Sequence, residues 1–120
     1  MSIPTKILIA ALALSHFYIL YVEMFLWTKP KGRKTFGTTE EFAQASKVLA
    51  ANQGLYNGFL GAGMVWALVA PDLLARPLAI FFAACVLVAG LYGGATANKR
   101  IYFVQAIPGA LALTSALLFG

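Results

Sequence analysis

The residues able to do chemistry are few, and most sit where hydrocarbon is expected. His16 and Glu23 lie inside an apolar run from Ile3 to Trp27. The run is long enough to cross a bilayer core with some tilt. An ionisable side chain inside such a run is costly, turns to the interior of a helix bundle and marks a site by default. The two are seven residues apart. They share a face to within about 20°, but stand about 10 Å apart along the axis. They do not form a direct acid–base pair, and the spacing does not suit two ligands of one metal. Each needs a partner from another helix. Candidates are the amides of Asn52-Gln53-Gly54-Leu55-Tyr56-Asn57-Gly58, and Gln105.

Other chemistries are thinly supplied. Ser15 adjoins His16 but projects about 100° away from it, so no catalytic triad is visible. One histidine and one glutamate fall short of three protein ligands for zinc, and a lone histidine is weak grounds for haem. Cys85 is the single cysteine, which excludes an internal disulfide and a CxxC pair. No catalytic residue, metal or cofactor is expected.

The elements that must position these residues follow from composition. The chain has 120 residues, 61% hydrophobic and 11% charged. A soluble domain of this size could not hide that much apolar surface. One integral membrane domain is expected over residues 1–120. Five of the nine basic residues lie between Lys29 and Lys47. They report topology and anionic lipid contact; nucleic acid is not an expected partner.

Four spans are expected, at about 3–27, 48–69, 77–93 and 101–119. The first resembles a signal peptide only as far as Leu14; the apolar run continues to Trp27, so a retained helix is expected. Lys29-Pro30-Lys31-Gly32-Arg33-Lys34 reads as a basic turn. Thr38 to Glu41 fits a capping box, and a helix begun near 39 should run on to Ala70. Gly54, Gly58 and Ala62 make a small-xxx-small stripe. Gly93 to Arg100 reads as a loop, with Asn98 as a helix cap. Pro108 should free the Val104 carbonyl and kink the last span.

The first and third loops hold seven basic residues and the other side two. The positive-inside rule puts those loops in the cytoplasm and both termini on the non-cytoplasmic side. The fold class is an all-α transmembrane four-helix bundle, multi-pass in the bacterial inner (plasma) membrane. With that topology Glu23, Asn52, Gln53, Asn57, Gln105 and His16 converge in the cytoplasmic half of the bundle, and Tyr18, Tyr21, Tyr56 and Tyr102 supply aromatic walls. A mostly apolar space with a few converging polar groups has the form of a ligand site. The bland alternative is that Glu23 accepts hydrogen bonds from Asn52 and Tyr56 and merely locks the bundle.

The segments His16–Trp27, Leu49–Leu60 and Gln105–Gly109 resemble a family of small bacterial four-helix membrane proteins defined as a domain of unknown function. The resemblance covers nearly the whole chain. It implies four spans, and no activity, substrate or cofactor.

The expected function is therefore read from the residues: an intramembrane polar pocket, open to the cytoplasm, that binds or transports a small amphipathic molecule. Glu23 would be counter-ion or proton carrier and His16 a second titrating group. Two alternatives are an accessory or assembly subunit of a larger membrane complex, and a small lipid-modifying enzyme. Membrane lipid, a small-molecule ligand and further copies of the chain are the expected partners.

Overall fold

The computed structural model describes residues 1–120. The chain is all-α. In order come α1 (Ile3–Tyr21), a π segment (Val22–Leu26), α2 (Pro30–Phe36), α3 (Glu40–Val69), α4 (Asp72–Thr96), a second π segment (Tyr102–Ala106) and α5 (Ile107–Phe119). Three stretches are long and apolar enough to cross a membrane: Ile3–Leu26, Asp72–Thr96 and Tyr102–Phe119. The longest helix, α3, is not among them, because Asn52, Gln53, Asn57 and its glycines dilute its apolar residues. The chain divides into two units, Met1–Ala13 with Ala62–Gly120, and Leu14–Gly61.

In the first unit Ser2 caps α1. Its Oγ accepts from the Thr5 N–H at 3.3 Å and donates to Thr5 Oγ1 at 2.8 Å. Thr5 Oγ1 in turn lies 2.6 Å from Ser115 Oγ on α5, both buried. The Ser2 N–H donates to the Gly120 carbonyl at 2.5 Å, so the two chain ends lie together. Arg76 on α4 donates from Nε to the Ala116 carbonyl and from Nη2 to the Leu117 carbonyl, each at 2.9 Å. These are among the last carbonyls of α5, which have no partner within their own helix.

Two boundaries in this unit differ from expectation. The third apolar helix starts at Asp72 rather than Pro77. Pro71 precedes it, and an aspartate in the first turn complements the helix dipole. Pro77 falls inside the helix and removes one intrahelical bond. The helix also continues to Thr96, through Gly93 and Gly94. Those glycines are packing residues rather than breakers: a Cβ on Gly94 would meet the Tyr102 ring, and one on Gly93 would come within 3.1 Å of Ile101. Asn98 is the expected cap, its Oδ1 accepting from the Arg100 N–H at 2.9 Å.

The expected kink takes the form of the second π segment. The Ile107 N–H bonds the Tyr102 carbonyl, five residues back. Pro108 follows with no N–H to offer Val104, and a wide turn absorbs that loss. Here α4 and the last span approach closely: a Cβ on Gly90 would overlap the Ala106 backbone, and one on Gly109 would come within 2.8 Å of the Leu87 nitrogen.

In the second unit the predicted basic turn is a helix, α2. Pro30 stands in its first turn, where proline is favoured, and Gly37 (φ 67°) ends it in the left-handed region that glycine supplies. Gly32 is buried against the Leu26 carbonyl with no room for a Cβ. The cap of α3 is Thr39 rather than Thr38: Thr39 Oγ1 accepts from the Phe42 N–H at 3.1 Å. Position N3 is then Phe42, so the capping box with Glu41 does not form. The helix runs 30 residues, without a break, as expected. Its packing seam is Ala43, Ala50, Gly54, Gly58 and Gly61, all buried, while Ala62 is exposed. Gly61 replaces Ala62 because a seven-residue step from Gly54 stays closer to the seam than an eight-residue one.

Candidate ligand site in the wide turn of the first helix

α1 ends in a π segment, Val22–Leu26, and this places Glu23. A π turn inserts one residue into the α register and recurs at functional sites. Nothing here resembles the cause of the second π segment, since no proline follows within the same helix. Opposite the turn runs the glycine seam of α3. A Cβ on Gly54 would stand 3.0 Å from Glu23 Cβ and 2.8 Å from Met24 Cγ. The missing side chain lets Glu23 pack against α3.

Glu23 is 6% exposed. Asn57 Nδ2 donates to its Oε1 at 2.7 Å. The donor is thus Asn57, and not Asn52 or Tyr56. The helix geometry explains the choice: Asn57 lies about 60° from Gly54 around α3, and Asn52 about 160°.

A groove of about 340 Å³ runs beside the carboxyl group. Met24, Phe25, Val48 and Ala51 give it apolar walls, Glu23 lies along it, and Trp27, Thr28 and Lys47 also line it. The Trp27 indole is fixed, its Nε1–H donating to Ser46 Oγ at 3.0 Å while Ser46 donates to the Phe42 carbonyl at 2.7 Å. The groove therefore combines a carboxyl group, an ammonium, a hydroxyl and a fixed aromatic ring. That set can hold an amphipathic cation: the charge against Glu23, the apolar body along the walls.

The other residues singled out from sequence are distributed differently. His16 is 1% exposed, and Ser15 Oγ lies at a long 3.4 Å from its Nδ1. Asn52 and Gln53 are exposed. Tyr18, Tyr21 and Tyr56 are about half exposed, with Tyr21 against Phe25 (6.1 Å between rings) and Tyr56 against Phe59 (5.7 Å). Gln105 and Tyr102 belong to the other unit, in the second π segment. Each π segment contains a carboxyl or carboxamide side chain, Glu23 in one and Gln105 in the other.

The sequence alone gives Lys47 only as a topological charge, Trp27 only as an interfacial ring and Thr28 no role, yet all three line the groove. A helical wheel of α3 carries the signal for Lys47, seven residues from Gly54 and on the same face.

A model of the family described as "Protein of unknown function (DUF1304)" matches residues 10–117. The chain belongs to that family. It is also 36% identical over 118 residues to "Uncharacterized protein YpaA" of Lactococcus lactis subsp. lactis (strain IL1403), covering 97% of this chain and 98% of the relative. No solved structure matches the chain. The match to the family model includes His16, Glu23, Asn57 and the groove residues, so the site lies within the part shared with the family.

Proposed function

We propose that the chain is a four-span protein of the bacterial plasma membrane whose groove beside Glu23 binds a small amphipathic cation, and carries it across or presents it. Asn57 holds the carboxyl group in place, and the ammonium or other cationic centre of the ligand meets the carboxylate. Lys47 stands at the cytoplasmic end of the groove and disfavours a second cation there.

The observation that carries this reading is the bond from Asn57 Nδ2 to Glu23 Oε1 at 2.7 Å, in a wide turn that opens onto a groove. One donor leaves acceptor capacity on the carboxyl group, which has about four lone-pair sites. A carboxyl group kept only to lock two helices would have little use for an adjoining cleft.

Crossing by α3 is supported by parity. α1, α4 and the last span are apolar enough to cross, and the Ser2 N–H bonds the Gly120 carbonyl. Chain ends at one level call for an even number of crossings, which favours α3 as the fourth. The excess of basic residues near Lys29–Lys47 and at Lys99-Arg100 supports a non-cytoplasmic setting for both ends.

The test is proton release on addition of tetraphenylphosphonium, a lipophilic cation with no titrating proton of its own. The native protein should release protons on binding, and Glu23→Gln should abolish the release while remaining folded. Unchanged release in the variant removes Glu23 from the role.

A further inference from the structure

The hairpin after the first π segment concentrates charge. Lys29, Lys31, Arg33 and Lys34 fall within six positions, with no acidic residue among them. α2 does not hang free. The Lys29 N–H donates to the Leu26 carbonyl at 2.9 Å, Gly32 is buried against that same carbonyl, and the Trp27 and Phe36 rings lie 5.1 Å apart. The basic residues are thereby held at the end of an apolar helix, at the depth where tryptophan marks the membrane surface. Lys29, Lys31 and Lys34 are exposed.

A second observation singles out one point of the hairpin. Arg33 Nε and Thr38 Oγ1 are both buried and make no hydrogen bond within the protein. They belong to neighbouring residues in space, since the Thr38 N–H donates to the Arg33 carbonyl at 3.0 Å. A buried polar atom without a partner calls for an explanation, and an ion is one. A guanidinium fork and a hydroxyl on two residues joined through their backbones suit a phosphate: the fork donates to its oxygens and the hydroxyl donates to one more.

We propose that this hairpin is a receptor for the phosphate of an anionic phospholipid head group in the cytoplasmic leaflet. Arg33 and Thr38 contact the phosphate, the three exposed lysines supply the attractive field, and the Trp27–Phe36 pair lies against the glycerol region. A lipid fits better than a free anion because the site adjoins an apolar span and two interfacial rings. The proposal rests on the membrane embedding of α1, and not on the ligand reading of the Glu23 groove.

The experiment is native mass spectrometry of delipidated protein in a neutral detergent, titrated with phosphatidylglycerol, with phosphatidylcholine, or with inorganic phosphate. Phosphatidylglycerol should bind at least about tenfold more tightly than phosphatidylcholine, with each lysine removed by Lys31→Gln or Lys34→Gln costing about fivefold. Arg33→Lys keeps the charge but discards the fork, and should cost a similar factor. These lysines are exposed, so the variants test binding rather than folding. Equal affinity for the two lipids overturns the proposal. So does an Arg33→Lys variant as tight as the native protein, which reduces the receptor to diffuse charge. So does competition by inorganic phosphate at the affinity of the lipid, which makes the ligand a free anion. Glu23→Gln should keep the lipid preference, so this result and that of the groove are read separately. A protein that stays in solution without detergent removes the embedding on which both depend.

Discussion

Glu23 is held by one side-chain donor and by one absent side chain, and the two can be tested apart. Asn57→Leu removes the donor. Hydrogen bonds between membrane helices are worth on average about 0.6 kcal/mol and at most about 1.7. The variant should therefore lose on the order of 1 kcal/mol in thermal or denaturant unfolding in detergent, and a loss near zero would show the bond to be idle. The glycine seam should respond more strongly and unevenly. At Gly54 a Cβ meets Glu23 Cβ at 3.0 Å and the Leu20 carbonyl oxygen at 3.3 Å, groups that cannot swing away. At Gly58 it meets only the tip of the Leu20 side chain. Gly54→Ala should cost about 1–3 kcal/mol, as overpacking does, and Gly58→Ala less than half of that. The reverse order would mean that α1 and α3 do not pack along this seam. Glu23 and the glycine spacing were legible in the sequence, because a carboxylate in an apolar run and glycines four apart are rare enough to notice. Asn57 was one of several amides, and only its angle from Gly54 singles it out. The Thr5–Ser115 pair had no signal, since hydroxyls are common in helices and bond locally.

Proline and glycine decide most of the element boundaries, and they mislead where packing overrides them. Pro30, read as a breaker, begins α2, because a first-turn proline gives up nothing. Gly93 and Gly94, read as a loop, stay helical because α4 needs their missing side chains to approach Tyr102 and Ile101. Pro108 acted as expected in freeing a carbonyl, but the remedy was a π segment rather than a plain kink. No sequence pattern announced the first π segment. Pro108→Ala restores the N–H that Val104 lacks. It should convert residues 102–106 to ordinary α geometry and create a new slowly exchanging amide at position 108, readable by NMR in micelles. A fast-exchanging amide there would show that packing against α4, and not the proline, sets the wide turn. Arg76→Gln should leave the Ala116 and Leu117 carbonyls without their donors and speed hydrogen exchange in the last turn of α5. Unchanged exchange would mean that the contact is superficial.

For the molecule as a whole, the helix count was partly legible. Hydropathy identifies three strongly apolar helices, and α3 falls short because Asn52, Gln53, Asn57 and its glycines dilute its apolar residues. The proposal that it crosses is supported by chain ends that meet at Ser2 and Gly120. Topology is measurable with Cys85 replaced by alanine and single cysteines introduced. A cysteine at Thr35 should label only from the cytoplasm, and one appended after Gly120 only from outside. Labelling of both from one side would cancel the crossing by α3 and with it the cytoplasmic setting of the groove. The ligand reading meets its most direct test in equilibrium binding of tetraphenylphosphonium to the native protein and to Glu23→Gln, with melting temperatures taken alongside. The groove predicts at least about a tenfold loss of affinity, about 1.4 kcal/mol, with little change in melting. Equal affinity in the two proteins would contradict it and leave Glu23 as a strut between helices.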